Sequence, residues 1–224
     1  MTENAPSPDQ KLALVTGASR GLGAALAEAL GARGWHVIAV ARTAGGLEEL
    51  DDRIRAAGGS ATLAPLDVTD PGAMTHLGRS LRERWGGLDL WAHTAIHAAA
   101  LTPAGHVDQK DWTRSLATNV TAVAQLIAVV EPLLRARRGT ALFPDDPRGG
   151  QPFFGTYGAS KAAQIALVRS WQAEGAKLGP RVAIETPPAM PTALRARFFP
   201  GEDRMALIHP REVARGMLAA VLGG

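Results

Sequence analysis

Cysteine is absent from the 224 residues, which excludes disulfides, thiolate metal ligands and cysteine nucleophiles. Aromatic residues make up only 5% of the chain and include a single tyrosine, Tyr157, so chemistry that needs a phenol has one candidate. No apolar run approaches the roughly 18 residues that would suggest a membrane span. Met1 to Gln10 is polar and proline-bearing, without the apolar stretch of a secretory signal. The formal charge is only +3, and no basic stripe with interleaved aromatics is present. The nearest thing to a cluster, Arg135, Arg137 and Arg138, falls at the expected end of a helix, where cations suit the dipole. These absences lead to the expectation of a cytoplasmic protein that handles a small molecule, with no nucleic-acid or membrane partner.

A hydrophobic content of 46% and a charged content of 20% suit an ordinary globular protein, and the length suits one large α/β domain. Residues 1–10 are read as a flexible N-terminal tail and 11–224 as the single domain. Apolar periodicity alternates between short β-like runs and longer helical ones. Strands are expected at Lys11–Thr16, Trp35–Ala41, Ala61–Leu66, Leu88–Ala92, Thr140–Phe143 and Arg181–Glu185. Helices are expected at Gly21–Arg33, Leu47–Ala57, from Asp70-Pro71 to Trp85, and at Asp111–Ala136, Gly155–Leu178 and Pro210–Leu222. Such alternation implies a Rossmann-type, doubly wound parallel sheet of six strands, which binds ligands at the carboxyl ends of its strands.

Two motifs fall at those ends. The first is the turn Thr16-Gly17-Ala18-Ser19-Arg20-Gly21-Leu22-Gly23, between a strand and a helix. A dinucleotide pyrophosphate needs such a turn: Gly17 permits the sharp bend, Gly21 the approach of the backbone, and Gly23 close helix–sheet packing. The second strand ends Val40-Ala41-Arg42-Thr43, without the acidic residue that would hold a ribose 2′-hydroxyl. Arg42, together with Arg20, suits a 2′-phosphate instead, so NADP(H) is the expected cofactor. The second motif is Tyr157-Gly158-Ala159-Ser160-Lys161. A phenol near its ordinary pKa of about 10 is a poor proton relay at neutral pH until a cation favours the phenolate, and Lys161 lies one turn along the same helix face.

In this order and spacing, the two motifs resemble the short-chain dehydrogenase/reductase family, and the resemblance runs from Lys11 to Leu222. It implies that Tyr157 is the acid/base, that Lys161 activates it and holds the nicotinamide ribose, and that Asn119 is a structural and relay residue. An asparagine in mid-helix also suggests a kink or an ordered water. By resemblance, Asp67-Val68 meets the adenine, and Pro187 and Thr192 close over the nicotinamide side. Residues Ala193–Asp203 would be a lid, and Phe198-Phe199 either a pocket wall or a packed loop. His93-Thr94-Ala95-Ile96 stands where relatives carry Asn-Asn-Ala-Gly, with His93 and Ala95 still expected to line the cofactor pocket. No metal is expected at His93 and His97, which lack an evident acidic or cysteine partner. Helices 111–136 and 156–178 would form a homodimer seam; if this is the whole protein, one further strand usual in the family would be missing.

One position departs more seriously. The family's catalytic serine falls at Asp145 or Asp146, and an ionised carboxylate cannot donate to a substrate oxygen. Thr156 is an alternative donor. The expected function is NADP(H)-dependent reduction of a small carbonyl compound or oxidation of the matching alcohol. The alternative is an NADP-binding sensor or partner subunit with impaired catalysis.

Overall fold

The computed structural model describes residues 10–177 and 179–223. Met1–Asp9 of the expected tail, Leu178 at the expected end of a helix, and Gly224 lie outside the described residues. Gln10 is tied down: its side chain donates to the Gly34 carbonyl, and its own carbonyl accepts from Arg137.

Six strands form one parallel sheet: β1 (Leu12–Thr16), β2 (His36–Ala41), β3 (Ser60–Pro65), β4 (Leu90–His93), β5 (Thr140–Pro144) and β6 (Arg181–Glu185). Their order is β3-β2-β1-β4-β5-β6. Strands β1, β2 and β4 are buried at every position, which is why they read as apolar runs and not as alternating ones. Helices α1 (Gly21–Gly31), α2 (Ala44–Ala56) and α8 (Pro210–Leu222) cover one face through Leu26, Leu30, Leu50, Ile54 and Leu218. Helices α3 (Pro71–Trp85), α5 (Ala122–Arg137) and α6 (Gly155–Gly175) cover the other through Met74, Leu81, Leu126, Val130 and Val168. The strand order reverses between β1 and β4, so the crevice of a doubly wound sheet opens there.

Several expected boundaries move. Helix α2 begins at Ala44, three residues early. Strand β4 starts at Leu90 and takes in His93, because the ladder with β1 runs from Leu90 to His93. The expected helix Asp111–Ala136 is α4 (Gln109–Leu116), a π turn over Ala117–Thr121, and α5 in continuous succession. That continuous stretch is long and apolar enough by composition to cross a membrane, although no unbroken apolar run reveals it. In the fold its Leu126, Val130 and Leu134 pack against the sheet. Helix α6 ends at Gly175, short of Leu178, and the expected lid contains a helix, α7 (Ala193–Phe198).

The arginine cluster at the end of α5 has structural partners. Arg137 donates to Asp89 at 3.0 Å and to the Trp85 carbonyl at 2.7 Å, and Asp89 also accepts from the Leu12 amide. Arg135 pairs with Glu131 one turn back.

Candidate active site

The strands deliver their carboxyl ends to one cleft of about 1130 Å³. At one end lies the glycine turn. Gly17 has φ 86°, and the Gly17 and Ala18 amides both donate to the Val40 carbonyl, fixing the turn against the end of β2. A Cβ on Gly17 would lie 2.5 Å from the Ala95 amide nitrogen, and one on Gly23 would lie 2.2 Å from the Gly17 carbonyl oxygen. No side chain fits at either place. Gly21 has φ 58°, but a Cβ there would make only ordinary contact with Thr192, so its requirement is conformational. Helix α1 starts at Gly21 with neither an acidic first turn nor a side-chain cap, which leaves its N-terminal amides available to an anion.

Ser19, Arg20, Gly21, Leu22 and Gly23 line this end, and Arg42, Asp67, Val68, His93, Ala95, Pro187 and Thr192 line the rest of the same cleft. Arg20 is exposed. Arg42 stands 3.9 Å from Asp67 as a loose surface pair, with 57% of its side chain exposed. Asp67 also accepts from the Thr69 amide and hydroxyl, so it shapes the turn after β3 while bordering the cleft. Thr192 caps α7 by accepting from the Arg195 amide. Thr16 differs from expectation. Its side chain lies beneath the cleft, bonded to His93 Nδ1 at 2.8 Å and to the Trp91 indole at 3.2 Å.

The loop after β4 is anchored by its own side chains. Thr94 donates to the Thr16 carbonyl at 2.8 Å, joining the loop after β4 to the glycine turn. His93 packs against Trp91 and Phe143. Burial, reinforced by the Lys161 charge, pushes its pKa down to about 3, so the ring is neutral.

At the other end Tyr157 is 3% exposed and packs against Phe154 and Phe198, with the Phe198 ring 4.8 Å away. Its hydroxyl donates to Asp146 Oδ2 at 3.1 Å. Asp146 Oδ1 accepts from Arg148 Nε at 2.8 Å. Asp146, and not Asp145, therefore faces the phenol. Burial pushes the Tyr157 phenol above its ordinary value. Asp146 pushes it further by charge and hydrogen bond, against a smaller opposing pull from Arg148. Thr156 is buried and is not part of the cleft lining.

Lys161 is also buried. Its ammonium donates to the Pro144 carbonyl at 2.5 Å and to Gln164 Oε1 at 2.6 Å. Burial lowers its pKa to about 8, with Asp145 and Asp146 acting in the opposite direction. Gln164 in turn donates to the Asn119 carbonyl at 3.0 Å. A side-chain amide thus spans Lys161 and the π turn, where the sequence suggested a kink or an ordered water. The Asn119 side chain ties the loop after β4 to α6: it accepts from the His97 amide and donates to the His97 carbonyl and to Ser160. Two partners were missed in the sequence, Arg148 and Gln164. Gln164 lies three residues beyond Lys161 on the same helix face, a spacing that was available to notice.

The sheet order, the crevice and the glycine turn place this protein in the doubly wound, dinucleotide-binding class. Residues 11–203 match the family model described as short chain dehydrogenase. The chain is 31% identical over 183 residues to 3-oxoacyl-acyl-carrier-protein reductase of Escherichia coli K12, covering 79% of this chain and 72% of that protein. Over 222 residues it is 31% identical to glycine betaine reductase of Emericella nidulans, covering 94% of this chain but 17% of that much longer protein. Among solved structures, a short-chain dehydrogenase from Shigella flexneri complexed with NADP superposes with a TM-score of 0.87 at 26% identity, covering 93% of this chain and 90% of that one. A metagenomic short-chain oxidoreductase in complex with NADP gives 0.80 at 25%, covering 96% and 92%. The chain belongs to the short-chain dehydrogenase family.

Proposed function

We propose that the protein is an NADP(H)-dependent oxidoreductase that reduces a small carbonyl compound or oxidises the matching alcohol. The observation that carries this reading is the pairing, in one cleft, of a tight glycine turn with a buried phenol and ammonium. The residues suit the cofactor. At Gly17 and Gly23 the neighbouring atoms leave no room for a side chain, so the turn stays tight, and Arg20 and Arg42 on the cleft lining would supply cations to a 2′-phosphate. The glycine turn with Ser19, Leu22, Asp67, Val68, His93, Ala95, Pro187 and Thr192 would hold the dinucleotide. When bound, it supplies or accepts a hydride.

The chain's own contribution is the proton. Tyr157 keeps its proton at neutral pH and would be an acid for carbonyl oxygen, with Lys161 one helical turn along α6 and Asn119 holding the surrounding loops. Helices α5 and α6 carry small exposed residues, Ala124 and Ala128 on one and Ala162 and Ala166 on the other, and these suit a homodimer seam.

A second reading has its own support. The Tyr157 hydroxyl already donates its hydrogen bond to Asp146, as would suit an NADP-binding protein with impaired turnover. NADPH consumption with a panel of small ketones and aldehydes separates the two. Wild-type turnover that falls by at least ~100-fold in Tyr157→Phe supports the oxidoreductase. Turnover only after Asp146→Ser supports the impaired protein.

A further inference from the structure

We propose a further activity at this site: reduction of a substrate whose reacting bond is a positively charged C=N, with Asp146 facing the nitrogen. This rests on the reading that hydride transfer takes place at the Tyr157 end of the cleft.

A substrate atom placed against the Tyr157 hydroxyl on its Asp146 side lies near Asp146 Oδ2, which is itself 3.1 Å from the phenol oxygen. A carbonyl oxygen gains negative charge as a hydride arrives, and an adjacent carboxylate opposes that change. An iminium nitrogen starts positive and becomes neutral. The new C–H bond takes both electrons of a hydride from the reduced nicotinamide, and the C=N π pair becomes the nitrogen lone pair. The dinucleotide is oxidised, the iminium is reduced to an amine, and no proton transfer is required. A neutral imine enters by the same route after taking one proton on nitrogen, a form the carboxylate favours. The exchange of a serine donor for an acceptor is then suited to the charge of the substrate.

The neighbouring cations do not cancel this preference. Arg148 engages the other carboxylate oxygen, Oδ1, and its guanidinium lies against the Phe154 and Phe199 rings. The Lys161 ammonium is directed to Pro144 and Gln164. Arg195 is held in a two-point pair with Glu202, and Arg197 stands exposed on the cleft lining. Asp145 adds a second carboxylate to the lining. Asp146 Oδ2 stands 3.1 Å from the phenol oxygen, and both aspartates act on the phenol against Arg148, so the carboxylates favour positive charge on a reacting atom beside it. Of the apolar cluster around Tyr157, Ile96, Ala98 and Leu194 line the cleft, and they suit the hydrocarbon body of a cyclic amine.

The test compares NADPH consumption, corrected for the uncatalysed reaction, with N-methyl-dihydroisoquinolinium and with tetralone, a neutral ketone of the same two-ring size. The expected result is a kcat/KM for the iminium about 100-fold or more above that for the ketone in wild type, with the preference lost in Asp146→Ser. Equal or better use of tetralone overturns the proposal and leaves the carbonyl reductase intact. Turnover of neither probe, or of any ketone, overturns both. Calorimetry gives a readout that needs no turnover. The N-methyl-tetrahydroisoquinoline cation should bind at least about tenfold more tightly than isochroman, its neutral oxygen analogue, in wild type but not in Asp146→Asn. Equal binding of the two overturns the proposal.

Discussion

Replacing Asp146 with asparagine should release the Tyr157 proton, and the chain is well suited to showing it. Tyr157 is the only tyrosine, so phenolate absorbance in an alkaline titration reports one residue. Two unit charges about 4 Å apart at an effective dielectric near 20 interact by about 4 kcal/mol. Arg148, bonded to the far oxygen of Asp146, offsets part of this, and we take about half, ~2 kcal/mol, as the net effect. At about 1.4 kcal/mol per pKa unit, Asp146→Asn should lower the phenol by roughly 1.5 units. The sign for stability follows from linkage. A phenol raised above its unfolded value of about 10 favours the folded state below that pH, and this contribution is lost as pH rises through the folded value. Wild-type phenolate should therefore appear only together with alkaline unfolding, followed by circular dichroism. In Asp146→Asn it should appear earlier, in a folded protein. A wild-type Tyr157 that titrates reversibly near 10 while still folded, or a variant in which it titrates no earlier, refutes the reasoning.

Gln164→Leu should leave the buried Lys161 ammonium and the Asn119 carbonyl each short of a partner, costing about 1–3 kcal/mol. Thermal unfolding should move down by several degrees, and the more conservative Gln164→Glu, which keeps an acceptor for Lys161, should lose less. An unchanged midpoint in Gln164→Leu would show that the amide bridge carries no weight. For assembly, light scattering after size exclusion should give twice the chain mass, and Ala124→Arg with Ala162→Arg should give a monomer. A monomeric wild type would defeat the proposed seam between α5 and α6.

The parts of this molecule that rest on local pattern were legible in the sequence. The central strands β1, β2 and β4 read as apolar runs because a parallel sheet covered on both faces leaves no polar side. The glycine turn was readable because two of its glycines meet backbone that no Cβ could tolerate. What depended on tertiary contact was not. Asn119 announced an irregular helix, which is the π turn, but not that Gln164 would bridge it to Lys161. The two aspartates were ambiguous until the loop after β5 set Asp146, and not Asp145, against the phenol. Arg148 gave no signal at all, since its role depends on where Asp146 points. Lys161 was expected to serve the phenol directly. Its ammonium is instead held by Pro144 and Gln164, a choice made by the depth of burial, which sequence spacing does not encode.

The most direct test of the central claim, that this cleft is an NADP(H) site, is a calorimetric titration of the protein with NADPH and then with NADH at one fixed salt concentration. The account predicts NADPH binding at least about tenfold tighter, or 1.4 kcal/mol, with the difference removed by Arg20→Ala and Arg42→Ala together. Equal affinity for the two would contradict the role given to the arginines. No binding of either would contradict the claim itself.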